Sequence, residues 1–116
     1  MAIMTFRGLL SPTETVSEIK RRFPSTALSC QLVDEGHKFM GTTTASLLVY
    51  EKYFMRAKNR VSLSIMVTSD MGVTDVFAIG SGGGQGPLFS FSWGSEEDYV
   101  SSFSRIIQEI GFDQIA

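Results

Sequence analysis

The sequence predicts an α+β fold: a two-layer sandwich in which an antiparallel meander of about five strands carries an N-terminal and a C-terminal helix. Three observations predict it. Two segments near the ends repeat apolar residues at helical spacing behind capping residues. Between them the period switches to two. The strands so defined have one strongly apolar face, which the two amphipathic helices can cover, while a Ser- and Thr-rich outer face meets water.

The first helix is predicted over Pro12 to Arg22. Ser11 can cap it, Pro12 suits the first helical position and Glu14 completes a capping box. Val16, Ile19 and Phe23 form its apolar stripe, and Pro24 ends it. From Thr26 a strand places Leu28, Cys30 and Leu32 on one face, with a turn expected at Asp34-Glu35-Gly36 and a return strand from His37 to Met40. Gly41 to Thr44 reads as a bulge or a second break. Ala45 to Ala57 is rich in β-formers, with a helix as the rival reading.

Val61, Leu63, Ile65 and Val67 alternate with Ser62, Ser64, Met66 and Thr68 in the clearest strand of the chain. Asp70-Met71-Gly72 reads as a three-residue hairpin loop. The returning strand, Val73 to Ile79, would then turn Val73, Asp75, Phe77 and Ile79 inward. A glycine-rich loop, Gly80 to Gly86, leads to a last strand from Leu88 to Trp93. Ser95 caps the second helix, acidic residues 96–98 fill its first turn, and Val100, Phe103, Ile106, Ile107 and Ile110 line one side before Gly111 stops it.

At 116 residues the chain suits one domain, 1–116, large enough to hold a core without metal or disulfide. Its 43% hydrophobic content excludes intrinsic disorder, and no apolar run approaches the ~20 residues of a membrane span. A net charge of −2 argues against a nucleic-acid partner. The start of the sequence lacks a signal-peptide pattern, and the lone Cys30 suits a reducing compartment, so a cytoplasmic location is expected. No cofactor is expected, and one histidine with one cysteine cannot build a zinc site.

With that hairpin loop, the core face carries a row reading Glu51, Val67, Asp75, Trp93. Its two carboxylates stand roughly 9.5 Å apart across two strand spacings, a separation suited to a cation or to acid–base chemistry. The same row more simply marks the end of the core. A two-residue turn at Lys58-Asn59 would instead turn Tyr50 and Lys52 inward. The flexible loop, with Gly80, Gly82, Gly83, Gly84 and Gly86, lacks the following helix and Lys-Ser/Thr ending of a phosphate cradle. His37 stands beside a turn with Asp34 and Glu35, and Cys30 reads as a packing residue.

Gly82-Gly83-Gly84-Gln85-Gly86-Pro87, a short strand and then Trp93-Gly94-Ser95-Glu96-Glu97 resemble the C-terminal half of a family of small uncharacterised bacterial proteins. That resemblance, over about residues 60–112, implies a compact cytosolic domain and no chemistry. The leading expectation is a non-enzymatic module that binds itself or another protein. Its surface would be the face of Ser62, Ser64, Met66 and Thr68 beside Thr74, Val76 and Ala78. The alternative is a small apolar-ligand binder whose pocket, between sheet and C-terminal helix, uses Asp75, Trp93, Glu51, Phe77 and Phe91. A hydrolase or isomerase using the paired carboxylates is the third.

Overall fold

A computed structural model describes residues 2–24, 30–54, 59–82 and 95–116. The chain runs β1 (Ala2–Gly8), α1 (Pro12–Arg22), β2 (Cys30–Met40), β3 (Thr43–Phe54), β4 (Asn59–Asp70), β5 (Val73–Gly82), α2 (Ser95–Glu109) and β6 (Asp113–Gln114). All six strands form one antiparallel sheet in the order β2-β3-β4-β5-β1-β6. Both helices cover one face, α1 over β4 and α2 over β1 and β6. The predicted two-layer α+β architecture and the β2–β5 meander are therefore present. No helix among the described residues is long and apolar enough to cross a membrane.

The first helix forms as its residues dictate. Ser11 Oγ accepts the Glu14 N–H at 3.2 Å, and its hydroxyl donates to Glu14 Oε1 at 3.1 Å. Glu18 then binds both Arg21 and Arg22, and these bonds hold its carboxyl below the usual carboxylate range. Ile19 and Phe23 are fully buried, with Val16 packed beside them. Phe23 is the centre of an aromatic cluster: its ring lies 5.1 Å from Tyr50 of β3, 5.2 Å from Tyr99 and 5.4 Å from Phe103 of α2. Burial pushes the Tyr50 hydroxyl up to about 12 and raises Tyr99 further still. The same desolvation raises the Cys30 thiol, whose Sγ lies 3.4 Å from Tyr99 Oη.

Several sequence-based expectations are corrected. The predicted elements do not include β1, which pairs on both sides, with β5 and with the short edge strand β6. Residues 34–36 make no turn; β2 continues to Met40, with a bulge between Leu32 and Asp34. The turn comes at Gly41-Thr42, with Gly41 at φ 60°. The strand expected from Ala45 is present within β3, and the rival helix is not; residues 55–57 of that run lie outside the described residues. Gly80 and Gly82, expected in a flexible loop, belong to β5, where Gly80 is buried between Leu63 and Ala2 of the neighbouring strands. Gly83, Gly84, Gly86 and the strand expected from Leu88 to Trp93 lie outside the described residues.

The largest correction is one of register. Asp70 pairs with Val73, so the hairpin loop is the two residues Met71 and Gly72, both at positive φ (51° and 84°). That is the backbone signature of a type I′ turn. A slip of one residue turns every β5 side chain over: Thr74, Val76 and Ala78 are buried, and Asp75 and Phe77 face outward. β5 also pairs along its other edge with β1, Arg7 opposite Asp75 and Ile3 opposite Ile79. The sequence-based row instead sets Trp93 beside Asp75. β1 is pinned in turn at its end. Thr74 Oγ1 donates to the Leu10 carbonyl at 2.7 Å, and a Cβ on Gly8 would stand 2.8 Å from the Phe112 ring.

Met71 in the left-handed region costs what any side chain with a Cβ costs there, and Asn tolerates it better. Met71→Asn should therefore stabilise the fold by about 0.5–1 kcal/mol and raise Tm by a few degrees. A fall in Tm would contradict the turn. Phe23→Ala should cost about 3–5 kcal/mol in denaturant unfolding, a large part of the stability of a domain of this size.

Candidate interaction surface

On the outer face, paired residues of β3, β4, β5 and β1 stack into rows. The first reads Ala45, Thr68, Asp75, Arg7; the second Leu47, Met66, Phe77, Thr5; the third Val49, Ser64, Ile79, Ile3. The fourth, Glu51, Ser62, Ser81, ends at β5. The second and third rows are predominantly apolar and contain no charge on these four strands. Among the described residues no helix lies on this side, and the side chains keep much of their surface: Leu47 44%, Met66 42%, Phe77 37% and Ile3 58%. Contiguous apolar area in the middle of a sheet differs from apolar residues scattered singly, and it marks an interaction surface.

Ion pairs close both ends of these rows. Arg7 grips Asp75 with two bonds, Nε to Oδ1 at 2.8 Å and Nη2 to Oδ2 at 3.0 Å. At the far end Arg60 reaches Glu51 at 3.5 Å and lies 5.6 Å over the Tyr53 ring. Each end is thus internally neutralised, leaving an uncharged centre between polar borders about 20 Å apart along the strands.

Of the residues expected to form a site on the core face, Asp75, Phe77 and Glu51 all stand on this outer face. Asp75 and Glu51 lie in rows six residues apart, about 20 Å along the strands, so they form no carboxylate pair. Glu51 opposes Ser62, not Val67. The inward positions are those of the alternative reading, with Tyr50 buried. Trp93 and Phe91 lie outside the described residues. The layer between sheet and α2, where an apolar pocket was expected, is filled at its centre by Phe23, Tyr50, Tyr99 and Phe103. Of the face expected to self-associate, Ser62, Ser64, Met66 and Thr68 do point outward, whereas Thr74, Val76 and Ala78 are core. The outer residues of β5 and β1 were missed, although the alternation of Ile3, Thr5 and Arg7 with Met4 and Phe6 could have shown β1.

The family model that matches residues 1–111 is DUF6054, a family of unknown function, and the chain belongs to that family. No curated protein sequence matches it. Among solved structures, it is similar to PA94 of Pseudomonas aeruginosa, a protein of unknown function, with TM-score 0.54 and 10% identity over 68% of this chain and 56% of that one. A weaker similarity, TM-score 0.43 and 14% identity, is to LpqN of Mycobacterium tuberculosis, covering 98% of this chain and 62% of that one. The chain thus spans less than two thirds of either protein, and the likeness to PA94 extends to the fold alone.

The Arg7 bonds hold the Asp75 carboxyl below the usual carboxylate range, against a smaller upward push from burial. A lowered folded-state pKa stabilises above the ordinary value near ~4, and that contribution is lost as pH falls through the lowered one. With the two side chains 55% and 31% exposed, the effect is small. In Arg7→Gln, the Asp75 titration followed by carboxyl NMR should move up toward ~4. An unmoved midpoint would mean that Arg7 does not hold Asp75 in solution.

Proposed function

We propose that this protein is a self-associating module whose outer sheet face stacks against the same face of a second copy. The observation that carries this reading is the pair of uncharged rows between two ion-paired borders, Leu47-Met66-Phe77, which is exposed, and Val49-Ser64-Ile79-Ile3, half-buried except at exposed Ile3. A two-fold interface presents one patch to itself and so must tolerate its own charges. This patch does so because Arg7 and Glu51 already hold their counter-charges within the same chain.

Geometry supports the same occupant. The four strands that carry these rows span about 19 Å, and a length near 30 Å gives a face of roughly 600 Å². Standard interfaces bury about 800 Å² per partner. Stacking would bring apolar rows to the centre and leave the ion pairs at a polar rim, the usual anatomy of such contacts. Sheets packed face to face keep their strands within about 30° of each other, and the flat Ser and Thr positions allow that approach. A cytosolic setting, where a second copy is the partner always present, accords with this reading.

Sedimentation equilibrium tests it directly. The wild-type chain should be dimeric at tens of micromolar, and Met66→Lys, at an exposed position, should be monomeric with an unchanged circular dichroism spectrum and Tm. A wild-type chain that stays monomeric at millimolar concentration would overturn the proposal, as would a Met66→Lys dimer of unchanged affinity.

A further inference from the structure

A second group of side chains lies on the opposite, helix-bearing side of the β2–β3 hairpin. The bulge at Val33 shifts the alternation of β2, so that Glu35, His37 and Phe39 lie on the same side as Leu48, Ser46 and Thr44, their partners in β3. His37 Nδ1 is 2.7 Å from Ser46 Oγ, and His37 Nε2 is 2.9 Å from Glu35 Oε1. Lys20 of α1 completes the chain, its Nζ donating to Glu35 Oε2 at 2.8 Å and Oε1 at 3.0 Å.

The protons in this chain are fixed by what each group can do. Bonds from Lys20, and then from His37, hold the Glu35 carboxyl below the usual carboxylate range, so it is ionised and can only accept. A neutral His37 must then place its proton on Nε2, toward Glu35. Its Nδ1 lone pair faces the Ser46 hydroxyl, which becomes the donor. A hydroxyl held to a base that is itself oriented by a carboxylate is the arrangement nucleophilic catalysis needs.

This relay opens on a cleft of about 170 Å³ between the first turn of α1 and the hairpin. Pro12, Val16 and Phe39 give it apolar walls, and Ser46 lines it directly. At about 30 Å³ for each water-sized group, it holds an acyl chain of only a few atoms. Two donors share the cleft. Thr13 sits in the first turn of α1, where backbone N–H groups lack intrahelical acceptors and the helix dipole favours negative charge. Thr44 Oγ1 is buried and, among the described residues, is the buried side-chain polar atom without a hydrogen-bond partner.

We propose that this cleft hydrolyses small uncharged carboxylic esters with short acyl groups, with Ser46 as nucleophile, His37 as general base and Glu35 as the residue that positions His37. As Ser46 Oγ bonds to the acyl carbon, its proton passes to His37 Nδ1 and the carbonyl electron pair moves to oxygen. The bond to the alcohol oxygen then breaks, and His37 returns the proton to the leaving group. Water, deprotonated by the same nitrogen, attacks the acyl-serine, releases the acid and restores Ser46. The sum is ester plus water to acid plus alcohol. The cleft lies across the sheet from the proposed dimer face, so the two proposals stand or fall separately.

The test uses the full chain with a fluorophosphonate probe and with p-nitrophenyl acetate. Peptide mass spectrometry should place the phosphonyl adduct on Ser46, and ester turnover should fall at least a hundredfold in Ser46→Ala and His37→Gln. Glu35→Gln should lower kcat with little change in KM and shift the acid limb of the pH–rate profile. Circular dichroism of each variant separates these losses from unfolding. No adduct on the wild-type chain, an adduct spread over other serines, or turnover that survives in Ser46→Ala would each overturn the proposal.

Discussion

The two-residue turn at Met71-Gly72 decides which side of the sheet is inside. Because Asp70 pairs with Val73, the inward residues of β5 are Thr74, Val76 and Ala78, followed by Gly80. These are small, and the bulk comes from the strands on either side: Val67, Ile65 and Leu63 of β4, and Phe6 and Met4 of β1. Had the loop been one residue longer, Phe77 and Ile79 would have entered the core beside Phe6, and Asp75 would have been buried with them. A buried carboxylate and two surplus large side chains each cost kilocalories. The strained φ of Met71 is small by comparison, which is why the chain tolerates a side chain there.

Local physics made much of the architecture legible. The Ser11 cap, Pro12 and the stripe to Phe23 mark α1 because a helix end must satisfy its own donors within a few residues. Strict alternation marks β4, since its two faces meet such different surroundings. What stayed illegible depended on partners distant in sequence. β1 is seven residues long and owes its stability to β5, some seventy residues later. For β5, both faces carry apolar residues, so alternation does not say which is inside; only the turn does. The bulge at Val33 left no sequence signal, and without it Asp34 and Gly36 would have stood where Glu35 and His37 stand. The paired-carboxylate row failed for the same reason: it rested on two registers, and both differ by residues that local pattern does not count.

Phe23 ties the two layers together. It stands at the end of α1, yet its ring touches β3 through Tyr50 and α2 through Tyr99 and Phe103, in edge-on and stacked contacts that aromatic quadrupoles favour. One cluster of buried side chains thus spans both helices and the sheet. Filling that centre with rings leaves little room for a ligand under α2, and displaces any concave site to the edge of the layer, where α1 ends its cover and the β2–β3 hairpin projects.

The hairpin therefore serves two surfaces at once. Along β3, Leu47 and Val49 point to the outer face while Ser46, between Ala45 and Leu47, points to the helix side. Alternation keeps these roles chemically separate: a substitution at Leu47 changes the apolar rows without touching the His37–Ser46 bond, and one at Ser46 leaves the outer face as it was. A helix could not offer that independence, because its successive residues share faces every third or fourth position. The covalent link between the two surfaces is a single strand held on both edges, by β2 and by β4.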